Sequence, residues 1–314
     1  MNRDNFGKAL CLGGIAVTIA GLVASYLSWF WIEFDVLSHF TLHFCMVIAA
    51  LGLAVFASKP MRIPVVLVVM VAGIIGIGSW SKLSADHLPA DFDSPEGSKV
   101  LKIVHFNTWG RNGQIEAVAA EIGRLDPDLV FLKEMGRDRQ GLQELLEARF
   151  AYRLPENRPP GTNLQIYSKY PFSGSVVQRR REGPPFIRAT LGAEWHLLNI
   201  VGTHLTRPTA IVDQEREIRA ISALVGKLEG ESIVVGDFNA TPHSVMLAFL
   251  QSSTGLRRVT NLPTWPAFAP HLPQFAIDHI FISDGLNISG PVIVGRDAGS
   301  DHLPIAAAIV VPAN

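Results

Sequence analysis

Several polar residues of this chain stand where apolar, β-branched runs stop. Asn107 follows IVHF, Glu134 follows LVFLK and His204 follows LNIVGT. Asp237 and Asn239 follow IVVG, two positions apart, in the stretch IVVGDFNAT. Asp278 and His279 precede IFIS, and Ser300, Asp301 and His302 precede LPIAAAIVV. A buried strand that ends on polar residues two apart turns both side chains to one face. Carboxylates with Asn amides offer hard oxygen donors suited to Mg²⁺ or Mn²⁺, whereas a zinc site would draw more on His and Cys. Histidines beside them supply groups that exchange protons near neutral pH. One such strand end is an ordinary turn; six of them converging make a site.

The elements that would position these residues follow from periodicity. VLKIVHFNTW alternates as a strand, IEAVAAEIGRL has helical spacing, and DPDLVFLKE is a turn leading into a second strand. LQIYSKYPF, FIRATL, WHLLNIVGTHL, QFAIDHIFIS and SDHLPIAAAIVV continue as strands, with a helix over DQEREIRAISALVGKL. Strands outnumber helices and the helices fall between them, which predicts a sandwiched sheet core with helices outside.

The first 80 residues are of another kind. No charged residue lies between Lys8 and Glu33, between Asp35 and Lys59, or between Arg62 and Lys82. Each gap holds a helix of roughly 20 residues, enough to cross about 30 Å of hydrocarbon. Three transmembrane helices are expected near residues 9–31, 36–57 and 63–80, the first retained and not cleaved as a signal peptide. Lys59 and Arg62 between the second and third spans, against Glu33 and Asp35 between the first and second, put the N-terminus in the cytoplasm. Everything after Trp80 is then extracytoplasmic, periplasmic in a Gram-negative cell. Trp29, Phe30, Trp31 and Trp80 suit an interfacial aromatic belt. His39 and His43 share a helix face, and helix packing or interfacial hydrogen bonding is preferred for them over a haem or metal site.

Residues 81–99 are polar, with Pro and Gly, and read as a linker that gives the following domain reach. Both cysteines, Cys11 and Cys45, fall in the spans, so residues 100–314 hold neither a disulfide nor a thiolate zinc site. Once Arg3, Lys8, Lys59, Arg62, Asp4, Glu33 and Asp35 are set aside, that domain is slightly acidic, against a dedicated duplex-DNA binder.

Taken together, FNTW, FLKE, GTHL, GDFN, IDHIF and SDHLP, in this order across residues 100–312, resemble the motif series of the endonuclease/exonuclease/phosphatase superfamily. The resemblance implies a DNase-I-like four-layered α/β sandwich, preceded here by three transmembrane helices, and metal-dependent cleavage of phosphoesters. It implies that Asn107, Glu134 and Asp301 hold Mg²⁺ or Mn²⁺, Glu134 being the principal ligand. His204 matches the histidine at the scissile phosphate that assists the leaving group. Asp237 and Asn239 match the pair that positions water and phosphoryl oxygens, His302 the general base, and Asp278 the carboxylate that orients it. Lys133 departs from the family, which commonly has Gln before this Glu, and either alters the ligands' surroundings or adds a phosphate contact. His105, His196, His243 and His279 are assigned to structure or to support of the site, Arg179, Arg180 and Arg181 to a solvated strand end, and Trp265, beside Thr264, to packing.

The resulting expectation is a membrane-anchored, divalent-metal-dependent phosphoesterase. Its partners are the bilayer and a phosphoester substrate, a lipid headgroup on grounds of location or, alternatively, extracytoplasmic DNA or RNA. A non-catalytic binding module is the remaining alternative, disfavoured because such a module has no chemical need for the whole residue set.

Overall fold

The computed structural model describes residues 3–56, 62–81, 96–135, 139–156, 163–269 and 274–313. Lys59, the Trp80 side chain, most of the linker (82–95) and part of the NRPPGTNLQ stretch (157–162) lie outside the described residues.

Helix α1 spans Arg3–Leu27, starting and ending earlier than the apolar run suggested. Near its end Ser25 and Ser28 donate their hydroxyls back to the carbonyls of Leu22 and Ser25, and the chain leaves as a turn that exposes Trp29, Phe30 and Trp31. The expected second span is broken. Residues Ile32–Ser38, including the short α2 (Asp35–Ser38), meet α3 (Thr41–Val55) at a bend of 57°. Helix α4 covers Arg62–Ser81. By length and composition α1 and α4 can each cross a membrane, and the bent pair makes a third crossing if it acts as one span. The three pack through Leu22, Cys45, Ile48 and Ala72.

The remaining chain builds two sheets. Strands β1 (Lys99–Asn107), β2 (Leu129–Lys133), β3 (Tyr152–Leu154), β4 (Leu164–Ser168), β11 (Asn287–Ile288) and β13 (Ile305–Val311) run in the order β11-β13-β1-β2-β4-β3, with β12 (Ile293–Val294) also on β13. The second sheet runs β5-β6-β7-β8-β10-β9, formed by Phe172–Gln178, Phe186–Leu191, Asn199–His204, Ser232–Asp237, Asp278–Ile282 and Arg257–Arg258. Alternation within the strands sorts the layers. Ile103, Leu129, Phe131, Ile200, Ile233, Val235, Ile280 and Ile305 meet between the sheets. Val104, Phe106, Val130 and Leu132 turn outward to α5 (Ile115–Leu125) and α6 (Arg139–Glu147). Val201, Val234 and Phe281 turn outward to α7 (Ile211–Val225) and α8 (Val245–Thr254). The result is a helix–sheet–sheet–helix sandwich, as the motif series implies.

Register brings the motif residues to one edge. In the first sheet, parallel pairing sets Asn107 opposite Lys133. In the second, Asp237 lies opposite both His204 on its parallel neighbour and Asp278 on its antiparallel one. The strands approach closely there because Gly236 lacks a side chain: a Cβ at that position would stand 2.0 Å from the Thr203 carbonyl oxygen. Glycine precedes Asp237 for that reason.

Candidate active site

Asp237 is almost completely buried, and its Oδ2 is a common acceptor. Asn107 Nδ2 donates to it at 3.2 Å and Lys133 Nζ at 3.2 Å. His204 Nε2 and His302 Nε2 stand 3.8 and 3.9 Å away. Its other oxygen accepts the Asn239 N–H at 2.9 Å. Asn239 donates through Nδ2 to the Leu205 carbonyl and lies 3.4 Å from His204 Nε2. The two sheets therefore contribute to one cluster, Asn107 and Lys133 from the first and His204 and Asp237 from the second.

A second buried carboxylate orients His302. Asp278 Oδ2 accepts from His302 Nδ1 at 2.8 Å and from the Thr264 hydroxyl at 2.5 Å, while Oδ1 pairs with His105 Nε2 at 2.9 Å. Fixing His302 through Nδ1 leaves Nε2 toward the cleft. Asp237, Asp278 and His302 lie close enough together to suggest a cation site of their own. The Asp278 oxygens are already taken by His302, Thr264 and His105, however, and Asp237 Oδ2 by Asn107 and Lys133, so the three read as an imidazole oriented by a carboxylate and not as a metal cage.

Glu134, the first residue after β2, has a left-handed backbone (φ 54°), as do Asn239 (φ 49°) and Trp109 (φ 57°). Non-glycine residues held this way cost about 1–3 kcal/mol each and concentrate where a side chain must be aimed. The Glu134 carboxylate accepts the Gly110 N–H on Oε2 at 3.0 Å and meets Lys133 Nζ on Oε1 at 2.6 Å. Ser300 donates its hydroxyl to the Asn107 carbonyl at 2.6 Å, tying the SDH segment to the end of β1. Asp301 keeps Oδ1 buried without a hydrogen-bond partner, while Oδ2 faces the Trp265 indole N–H at 3.4 Å. A hard divalent cation fits this donor chemistry: Asp301 has an unspent oxygen, and Glu134 and Asn107 provide more. The Lys133 ammonium on Glu134 competes with it.

The charges set proton affinities. Burial opposes ionisation of Asp278, but His302 and His105 outweigh it and hold its carboxyl well below the ordinary value. Burial likewise opposes the charged forms of Asp237 and Glu134, and Lys133 brings both below their ordinary values. For His302, burial favours the neutral ring, yet Asp278, Asp237 and Asp301 together push it up to about 9. Burial and then the Lys133 ammonium drive His204 well below its ordinary value.

With this geometry in place, the match to a family model over residues 104–302 is decisive, its description being the Endonuclease/Exonuclease/phosphatase family. The chain belongs to that family. Searching curated proteins by sequence finds no match. Among solved structures the chain is similar to sphingomyelinase C from Streptomyces griseocarneus at 17% identity, covering 67% of this chain and 99% of that one, with a TM-score of 0.51. A beta toxin variant from Staphylococcus aureus with bound magnesium ions aligns at 14% identity over 67% and 99%, TM-score 0.53. D. rerio TDP2 complexed with a single-strand DNA product aligns at 16% identity over 67% and 99%, TM-score 0.55. These likenesses carry the fold.

The motif residues named from the sequence lie along the connected ends of the two sheets, Glu134 meeting the cluster through Lys133 and Asp301 standing next to His302 in the chain with its carboxylate toward Trp265. Others carry more than sequence reasoning gave them. His105 and Thr264 hold Asp278. Arg180 is exposed, as expected of a solvated strand end, yet it also donates to the His204 carbonyl at 2.7 Å and pairs with Glu217 at 2.6 Å. Only the RRRE run marked it, and nothing there distinguished it from Arg181, whose ion pair is with Glu182.

Because His302 must be neutral to accept a proton, kcat/KM is expected to rise with pH until about 9. Asp278→Asn moves that limb to lower pH and lowers the plateau by about 10²-fold or more. A pH–rate profile checks both, and an unmoved limb removes His302 as the base. Lys133→Gln frees Glu134, so Mg²⁺ or Mn²⁺ binds about tenfold tighter in calorimetry; weaker binding would mean that Lys133 supports the cation.

Proposed function

We propose that this chain is a membrane-anchored, divalent-metal-dependent phosphoesterase. Its proposed substrate is a phosphodiester or phosphomonoester of a lipid or lipid-linked molecule, and its catalytic domain faces the extracytoplasmic side. The observation that carries the lipid reading is a path of rings from the second span to the site. Phe40 lies edge-on to Phe275 at 5.5 Å and His43 stacks on Phe275 at 4.9 Å. Phe275 lies 6.0 Å from Trp265, whose indole N–H faces Asp301. An amphiphile whose phosphate enters the site can keep its apolar part along those rings.

In this reading His302, oriented by Asp278, takes the proton from the attacking water. Asn107, Asn239 and Lys133 donate toward the non-bridging oxygens as charge grows on them. Burial, and after it the Lys133 ammonium, keep His204 neutral; an arriving phosphate anion raises its proton affinity and readies it to protonate the departing oxygen. A divalent cation held by Glu134, Asn107 and Asp301 would add Lewis-acid stabilisation of the same charge.

Topology is supported by a parity argument. Asp35 bonds Ser244, so the segment after α1 and the catalytic domain must share one side of the membrane. If α1 and α4 both cross, that is satisfied only when the bent middle segment crosses as well. Three crossings with Arg62 inside then leave the domain outside.

A panel of phospholipids, sphingolipids, nucleic acids and aryl phosphates, with EDTA controls, tests the function. Turnover of a lipid phosphoester that EDTA abolishes is expected, with Glu134→Ala and His302→Ala each lowering it by about 10³-fold in folded protein. Preference for DNA or RNA with steep salt dependence would favour the nuclease reading; no turnover at all would favour the binding module. A reporter fused after Asn314 is expected to be active only outside the cytoplasm, and cytoplasmic activity would overturn the orientation.

A further inference from the structure

The loop that carries Asp237 and Asn239 does not end in the catalytic domain's own contacts. Asn239 is followed two residues later by Thr241, which donates its backbone N–H at 3.2 Å and its hydroxyl at 3.0 Å to Nδ1 of His39, a residue of the anchor. Because a backbone N–H can only donate, Nδ1 is the acceptor and the ring proton sits on Nε2. Ser244 then donates its hydroxyl to Asp35 Oδ2 at 2.5 Å, and Val245 its N–H to Asp35 Oδ1 at 3.0 Å. Asp35 is wholly buried and also accepts from Ser38. Helix α8 is thus capped twice at its first turn, by its own Ser244, which accepts from Met246, and by a carboxylate from another part of the chain. Ile32 packs beside these contacts against the α7 and α8 cluster.

We propose that Asp35 and His39 are positioning residues for catalysis: the anchor holds Thr241 and Ser244, and through them fixes Asn239 and its neighbour His204. Within the domain, Gln214 holds the Phe238 and Asn239 carbonyls at 3.1 Å and His279 meets the Ala240 carbonyl at 2.9 Å, so the anchor clamps the far side of a loop already braced on its near side. Asn239 has a left-handed backbone, and its side chain spans Leu205 and His204, so a small shift at Thr241 moves groups that face the phosphate. A misplacement of about 1 Å in such groups costs about 10²-fold in rate. The anchor is therefore part of the working site and not only a tether. The proposal rests on the phosphoesterase reading for its rate effects, but the loop geometry itself can be measured without turnover.

The test uses the full chain in detergent and a water-soluble diester, bis(4-nitrophenyl) phosphate, so that delivery from a bilayer plays no part. His39→Leu fills the space without an acceptor, and is expected to lower kcat by about 10–100-fold with KM within about twofold. His39→Asn puts a carbonyl oxygen near the Nδ1 position and is expected to restore kcat to within about threefold of wild type. Asp35→Ala and Asp35→Asn should form a matching pair. Amide exchange is the readout independent of activity: Thr241 and Val245 exchange about tenfold faster in His39→Leu and Asp35→Ala, while β1 and β13 are unchanged. Unaltered kcat in folded His39→Leu and Asp35→Ala overturns the proposal. Should either fail to fold, Thr241→Val, which removes a contact from the domain side, takes its place, with a kcat loss of about threefold or more supporting the proposal and none overturning it. If wild type hydrolyses no phosphoester, the functional reading falls and exchange alone decides whether the anchor holds the loop.

Discussion

The site depends on a carboxylate that is out of water and shared. Asp237 sits at the end of β8 under both sheets, and its Oδ2 is reached by an amide and an ammonium from the opposite sheet. At an effective dielectric near 20, the Lys133–Asp237 pair at 3.2 Å attracts by about 5 kcal/mol. Desolvating the two charges costs a similar amount. Removing either charge would strand the other, so each residue requires its partner. Lys133 also reaches Glu134, so one ammonium links the carboxylate at the centre of the cluster to the one at the end of β2. After burial, that ammonium is the largest influence on the proton affinities of His204, Asp237 and Glu134.

The strand ends were legible because two physical signals coincide there, a run of apolar residues and an abrupt change to groups that cannot be buried unpaired. IVVGDFN shows this in seven residues, and its glycine proved to be demanded by the Thr203 carbonyl. The four layers were legible for the same reason, since alternation within a buried strand divides its side chains between two cores. What was not legible lies off that pattern. His105 is one residue of an alternating strand, and only the fold shows that its ring meets Asp278. The left-handed turn at Glu134 leaves no trace in residue type. Arg180 has the same composition signal as its neighbour Arg181, and only the fold shows that it reaches the His204 carbonyl.

The anchor was half legible. Its apolar lengths announce helices, but the break near residues 38–41 does not follow from hydropathy. Asp35 and His39 are drawn away from the helix axis by partners more than 200 positions later in the chain. Asp35 was useful from the sequence as a charge between spans; in the structure it is a buried helix cap. The polar residues of a loop between spans can therefore report on a docking surface as well as on topology. The same contacts limit the reach expected of the linker, because the domain is attached at Asp35 and His39 as well as through residues 82–95.

Two attachments have a different consequence from one. A flexible tether raises the concentration of an enzyme near its substrate and leaves orientation free. A domain also held through α8 and Thr241 cannot turn about its linker, so the rim formed by Trp265 and Phe275 keeps its relation to Phe40 and His43. For a soluble substrate this fixed attitude brings nothing and obstructs part of the approach. For a substrate whose apolar part stays in the bilayer it removes an orientational search before each encounter, which is where positioning contributes most to rate. In the proposed arrangement the cleft would sample only what the membrane presents to it, and an attitude suited to lipid phosphoesters would exclude long nucleic acids.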